Sequence, residues 1–191
     1  MNDLEILLKM GLATWIYKGT ALIGGASRVG GNQFRHNMAT MAILINYHYT
    51  DPVLLKASVI HDAMEETTFV SPAEIRELDE DGPAVLELIH EVMWNKEIHR
   101  YKHLENILKT GTQNAKILLC ADRISNLTDL PDGIFSEEEM HDYLDETAML
   151  IFPMAEEVND NMLIELQDLL HRRRALIRRL HFATVYTPSN N

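Results

Sequence analysis

Three segments carry residues whose types and spacing could do chemistry. In FRHNMATMAILI, His36 opens an otherwise largely apolar, helix-like run. In SVIHDAMEETTF, His61 and Asp62 stand side by side, followed one helical turn later by Glu65 and Glu66. In AKILLCADRISNLTDL, Asp122 and Asn126 are four apart and Asp129 three further on, all on one helical face. Imidazole nitrogens and carboxylate oxygens in one set suit a borderline divalent cation such as Mn²⁺, Fe²⁺ or Zn²⁺. His36, His61, Asp62 and Asp122 therefore read as ligands, which leaves Glu65 and Glu66 as candidate acid and base. On a continuous helix, positions four apart lie one above the other. That register would set Glu65 over His61 and Glu66 over Asp62. The flanking residues, Val53 to Ala57, Val59, Ile60, Ala63 and Met64, are mostly apolar, and acids held in such surroundings need a cation, a partner or a task.

Each fragment has a plainer reading when taken alone. His36 by itself is a helix-terminal histidine, and Asp122 with Arg123 is a surface pair worth little. His99 and His103, four apart in HRYKH, fit an exposed helix face better than a second metal pair. Met38, Met41, Met64 and Met93 read as core filling. The basic run HRRRALIRR at 171–179 reads as a solvated or acid-paired helix face. It is the order and context of the three segments that favour a site.

Helices must position these residues, because alternating strand patterns are scarce. The patterns predict helices over 4–17, 34–48, the segment that starts at Asp51-Pro52 and carries His61, 83–94, 99–109, 113–129, 137–158 and 160–180. Asp51-Pro52 supplies a cap and a first helical residue, and Ser71-Pro72-Ala73-Glu74 and Ser136 with Glu139 are capping boxes. Pro153 is expected to kink or split the segment that contains it. Gly19, Gly24, Gly25, Gly30 and Gly31 predict a mobile loop over 18–33. PDG at 131–133 predicts a turn, and 186–191 a loose tail. The expected class is all-α, a single helical-bundle domain over 1–191 without internal repeats.

Composition narrows the function classes. The chain has 191 residues, 46% of them hydrophobic, enough for one sizeable core. A formal net charge of −12 argues against coating nucleic acid or an anionic membrane through the overall field. No apolar run approaches the roughly 20 residues that span a bilayer, and the first residues show no signal-peptide cleavage pattern. The single cysteine, Cys120, lies in an apolar run and excludes an internal disulfide, so it reads as a core thiol. The expectation is a soluble, cytoplasmic protein with a small-molecule substrate, for which a homo-oligomer is left open.

Taken together, the segments resemble the hydrolase domain of RelA/SpoT proteins in the HD phosphohydrolase superfamily, above all the short, free-standing metazoan SpoT homologue type. RHNMATMA is similar to the first histidine helix, VIHDAMEET to the HD-x-x-E-D-T signature, HEVMWNK to a Val-Thr-x-x-Lys stretch and LLCADRISNLTDL to the Leu-Ala-Asp-Arg-x-x-Asn signature. The resemblance implies an HD-type bundle holding one divalent metal, usually Mn²⁺, with Fe²⁺, Zn²⁺ or Co²⁺ as other fits, on His36, His61, Asp62 and Asp122. It implies Glu65 and Glu66 as the catalytic acidic pair, Asn126 as a nucleotide contact, Lys96 as a phosphate contact and Tyr143 as a substrate-side aromatic. It implies hydrolysis of the 3′-pyrophosphate of guanosine 3′,5′-bis(diphosphate), ppGpp. Asn37 stands where the family has proline, Glu66 where it has aspartate, and the stretch 18–33 offers only Lys18 and Arg28 where the family has a basic run. Two rival readings are an HD phosphohydrolase for another nucleotide, such as a deoxynucleoside triphosphate, and a non-catalytic helical module that keeps the metal for stability. Glu65 and Glu66 speak against the second, since a structural site has no need of them.

Overall fold

The computed structural model describes residues 3–25, 27–28, 31–130 and 136–186, with the side chains of Leu4, Leu8, Gly25, Ser27, Arg28, Gly31 and 180–186 left aside. Its elements are all helical apart from one minimal hairpin. The helices are α1 (Asp3–Lys9), α2 (Leu12–Gly19), α3 (Ala21–Gly25), α4 (Gln33–Asn46), α5 (Pro52–Ile60), α6 (Ala63–Glu66) and α7 (Pro72–Arg76). They continue with α8 (Gly82–Val92), α9 (Arg100–Thr110), α10 (Gln113–Thr128), α11 (Glu137–Glu146), α12 (Phe152–Val158) and α13 (Asp160–Tyr186). A π-helical turn, Thr147–Ile151, joins α11 to α12. The hairpin pairs β1 (Ser27–Arg28) with β2 (Gly31–Asn32).

The centre of the bundle is α10, on which α4, α13, α12 and α8 pack. Ala115, Ile117, Leu118, Cys120, Ala121, Ile124 and Leu127 are all buried, together with the polar Lys116, Arg123 and Ser125, so this helix is buried nearly all round, as befits an interior helix. Burial raises the Cys120 thiol to about 12 despite the nearby charge of Arg123, consistent with a packing role. Caps fall where the sequence places them. Asp51 accepts from the Leu54 N–H with Pro52 in the first turn, and Ser71 with Glu74 and Ser136 with Glu139 form capping boxes.

Four boundaries differ from expectation. The single helix over 4–17 is two, because Gly11 takes a left-handed conformation, φ 71°, which glycine adopts without a steric penalty. The 18–33 stretch is largely ordered: α2 runs through Gly19, α3 follows, and the hairpin leads into α4. Glycine at 19 serves close packing, since a Cβ there would sit 3.2 Å from the Val59 carbonyl oxygen on α5. Pro153 splits its segment as expected: it lacks the N–H that would bond to Met149, and the preceding turn widens to the π form before α12 restarts. The last helix reaches Tyr186. The turn at 131–133 and the tail from 187 lie outside the described residues.

The fourth difference shapes the site. The His61 segment is not one continuous helix: α5 ends at Ile60, and α6 begins at Ala63. The backbone stays right-handed through His61 and Asp62, but the Ser58 carbonyl, in line to accept from Asp62 in a continuous helix, accepts from His61 Nδ1 at 2.9 Å. A side chain has taken over a helical acceptor. The strict stacking of Glu65 on His61 and Glu66 on Asp62 is therefore replaced by a tighter turn, in which the Glu65 and Glu66 N–H groups both donate to the Asp62 carbonyl.

A buried cation secures the outer side of α5. Lys56 Nζ, with only 4% of its side chain exposed, lies 2.8 Å from Asp79 Oδ2 and 2.6 Å from Asp81 Oδ2. Trp15, fully buried, donates from Nε1 to Asp79 Oδ2 at 2.7 Å. The set ties α2, α5 and the α7–α8 turn together, and removing one partner would leave the others under-satisfied. Burial pushes the Asp79 carboxyl up, but bonds from Lys56 and Trp15 outweigh it and hold the group below its ordinary 3.8. Its contribution is therefore full above that pH and fades as pH falls through the folded value. Asp79→Ala is expected to cost about 2 kcal/mol, as for hydrogen bonds to a charged group, lowering the thermal midpoint by roughly 4–8 °C. Thermal denaturation at neutral and acid pH checks this, and the gap to wild type must narrow in acid.

Candidate active site

Three helical segments deliver the predicted ligands to one place. Asn32 caps α4 by accepting from the Arg35 N–H, which starts the helix so that His36 lies at the end of its first turn, 2% exposed. The α5–α6 junction presents His61 and Asp62. From α10 come Asp122, Ser125 and Asn126, at i, i+3 and i+4 on one face. His36 Nε2 lies 2.7 Å from Asp122 Oδ1 and 3.8 Å from Asp62 Oδ2. His61 Nε2 lies 3.3 Å from Asp62 Oδ2 and 3.4 Å from Asp122 Oδ1. The two imidazoles meet edge to face, 5.7 Å between centroids.

The second nitrogen of each histidine is held from behind. A carbonyl only accepts, so His61 carries a proton on Nδ1 toward Ser58 and its neutral form offers the Nε2 lone pair to the acids' side. His36 Nδ1 lies 2.9 Å from Ser125 Oγ, a hydroxyl that can give or take a proton. Such outer contacts orient metal-binding imidazoles. Among the described residues His61 Nε2 is one of three buried polar atoms with no hydrogen-bond partner, and it faces two carboxylates. Ligand atoms of His36, His61 and Asp62 lie within 4.8 Å of one another, and Asp122 Oδ1 adjoins both histidines. Ligand bonds of about 2.1 Å place ligand atoms about 3 Å apart, so the donors fit a divalent cation.

Electrostatics agree. Burial pulls the His61 pKa down, but the Asp62 and Asp122 carboxylates outweigh it and raise it to about 9. Burial pushes Asp122 up, yet its bond to His36 and the neighbouring His61 imidazole hold it well below the usual carboxylate range. A proton on the His61 imidazole balances the carboxylates in part, and a metal would displace it.

The other predicted residues fall in different places. Glu65 lines the cleft beside His61, Asp62 and Asp122, its side chain 24% exposed, with Lys96 Nζ 3.5 Å away on the rim. Glu66, on the same turn, is exposed and is not among the residues that line this cleft. Asn126 donates to both Asp122 oxygens at 3.0 Å, a contact that orients the ligand. Tyr143 packs beneath the Arg123 guanidinium, 4.1 Å from its ring centroid. The Arg28 side chain lies outside the described residues. Lys18 pairs with Glu74 at 2.7 Å, which commits its charge elsewhere. Arg123 is not a surface residue: it is 2% exposed and bonds Thr147 and Glu146.

Sequence reasoning missed several contributors. Gln33 donates from Nε2 to Asp62 Oδ2, and Ser125 supports His36. The cleft wall also includes Trp94, Arg100 and His103. His103 Nε2 lies 3.1 Å from the Val92 carbonyl, and His99 caps α9 by accepting from the Tyr101 N–H. The i, i+4 spacing of these two histidines thus serves structure. Of these contributors only Ser125 and Gln33 had a signal, standing respectively three residues either side of Asp122 and His36.

The chain was compared with known proteins. Among solved structures it is similar to a metazoan ortholog of SpoT that hydrolyzes ppGpp, with a TM-score of 0.70 and 24% identity over 85% of this chain and 94% of that one. At that identity the likeness is one of fold. No family model matches the chain, and no curated protein matches it in sequence. No helix among the described residues is long and apolar enough to cross a membrane.

His61→Ala and Asp122→Ala are each expected to abolish stoichiometric Mn²⁺ binding, whereas His99→Ala retains it. Elemental analysis of protein reloaded with Mn²⁺ and passed through a desalting column checks the set.

Proposed function

We propose that this chain is a metal-dependent phosphohydrolase acting on a nucleotide that carries a pyrophosphate, with ppGpp as the substrate to test first. The observation that carries the reading is the convergence of two buried imidazoles and two carboxylates around a partnerless His61 Nε2. The fold shared with an ortholog of SpoT that hydrolyzes ppGpp supplies the substrate class. The residues that would hold the cation are His36, His61, Asp62 and Asp122, and Mn²⁺ is the first candidate, with Fe²⁺, Zn²⁺ and Co²⁺ as alternatives from the same N/O donor preference. Bound there, such a cation supplies Lewis acidity toward water and phosphoryl oxygen.

The chain's own residues do the rest. Glu65, half-buried in the cleft, takes the proton of the attacking water on its carboxylate. Water oxygen adds to the phosphorus next to the 3′-oxygen, the bond between that phosphorus and the 3′-oxygen breaks, and the proton returns to the leaving oxygen. The products are GDP and pyrophosphate. Lys96, at the rim beside Glu65, offsets phosphate charge, and Asn126 and Gln33 keep Asp122 and Asp62 aimed. The reading assigns proton transfer to Glu65 and leaves Glu66 at the edge of the site. A small nucleotide fits the acidic chain because the attraction is confined to one cleft.

A substrate panel with Mn²⁺-loaded protein tests the proposal. Pyrophosphate release from ppGpp supports it, whereas turnover of deoxynucleoside triphosphates with none of ppGpp moves the assignment to another nucleotide. Glu65→Gln is expected to keep the metal and the fold while lowering kcat by ~10²–10⁴-fold, as for loss of a positioned acid or base. KM should change little, since the role is confined to the transition state. Glu66→Gln, altering an exposed side chain, should lower kcat far less, and steady-state kinetics on both variants reads the difference.

A further inference from the structure

We infer that Arg100 anchors a second phosphoryl group of the substrate and that Glu146 positions it; this rests on the phosphohydrolase reading above. Arg100 opens α9 and lines the same cleft as His61, Asp62 and Asp122, with 44% of its side chain exposed. Its guanidinium carbon lies 6.0 Å from the centre of the Trp94 ring. Trp94 is itself fixed by a bond from Nε1 to the Ile98 carbonyl, 2.9 Å. Arg100 Nε points to Glu146 Oε1 at 3.4 Å, which leaves the terminal nitrogens of the fork as further donors.

Charge counting makes this arginine more than a surface cation. Glu146 Oε1 also accepts from Nη2 of the buried Arg123 at 2.7 Å. One carboxylate, 13% exposed, thus stands between two guanidiniums and can neutralise only one. Arg123 is the deeper of the two and takes the shorter bond, further held by Thr147 Oγ1 at 2.6 Å, so Glu146 is shared and Arg100, on the cleft wall, keeps part of its charge for a ligand. In the same cleft Asp62, Glu65 and Asp122 suit a cation and repel phosphate. A substrate with one phosphoryl group at the metal end gains little from Arg100. A substrate with two can place the second against a planar, always-charged fork shaped for phosphate oxygens. The class selected is therefore a nucleotide bearing at least two phosphoryl groups, in preference to a monophosphate. Glu146 is the last residue of α11, immediately before the π-helical turn, whose first residue, Thr147, holds Arg123. The widened turn thereby sets where Glu146, and through it Arg100, can stand.

The test is calorimetry of inorganic pyrophosphate binding to Mn²⁺-loaded protein, alongside kinetics on ppGpp and on a nucleoside monophosphate. Arg100→Gln is expected to weaken pyrophosphate binding and raise KM for ppGpp by about 10- to 100-fold, the loss of a charge-assisted pair. Metal content should be unchanged, kcat should stay within a few-fold, and any monophosphate binding should be untouched. Arg100→Lys should recover only part of the affinity. Glu146→Gln should weaken pyrophosphate in the same direction, and the double variant should be no weaker than Arg100→Gln alone, since coupled residues do not add. If Glu146→Gln only lowers the thermal midpoint and leaves pyrophosphate affinity intact, its positioning role is overturned. Unchanged pyrophosphate affinity in folded, metal-loaded Arg100→Gln overturns the anchor. A wild type that binds metal but hydrolyses no nucleotide overturns the phosphohydrolase reading instead, and the calorimetry still decides Arg100.

Discussion

Two imidazoles and two carboxylates held within ion-pair distance inside an apolar bundle are the constraint around which this molecule is arranged. Ionised acids in such a place are costly unless matched. Here a proton on His61 offsets them in part, while its Nε2 faces oxygens that it does not bond. The surrounding polar groups all act on that set. Ser58 and Ser125 hold the far sides of the imidazoles, and Gln33 and Asn126 hold the carboxylates. None of these four carries a charge, so they orient the cluster without cancelling the attraction it offers to a cation.

Two further buried cations flank the site and have different consequences. Lys56 sits between two carboxylates and joins three elements, a closed arrangement that serves cohesion. Arg123 shares the Glu146 carboxylate with Arg100, an open arrangement that leaves part of the positive charge on the cleft wall. The first ends within the fold; the second passes through α10, one residue beyond Asp122, to a surface where a ligand can complete it.

The fold is shared with a metazoan ortholog of SpoT at 24% identity, and two positions that depart from the motifs the sequence resembles have structural partners here. Asn37 is fully buried and donates to the Val59 carbonyl at 3.1 Å, tying α4 to α5 just outside the ligand set. Lys18, the one described cation of the glycine-containing stretch, is paired with Glu74. In the proposed function, positive charge for a phosphorylated substrate comes from the α8–α9 side, through Lys96 and Arg100.

The sequence by itself determined the all-α class, most helix starts and the identity of the histidine and aspartate set. Caps, prolines and apolar periodicity are local signals, and metal-type donors recur in a recognisable order. What it could not determine is which polar residues face inward. An imidazole takes the Ser58 carbonyl where the helix ends at Ile60, and Glu65 lines the cleft while Glu66 is exposed, a local turn that periodicity does not encode. Arg123 reads as half of a surface pair until α11 and the π-helical turn bring Glu146 and Thr147 to it from more than twenty residues away. Arg100 likewise gains a role only when α9 is laid beside α10. These assignments rest on contacts between segments distant in the chain, and such contacts are decided by how the helices pack.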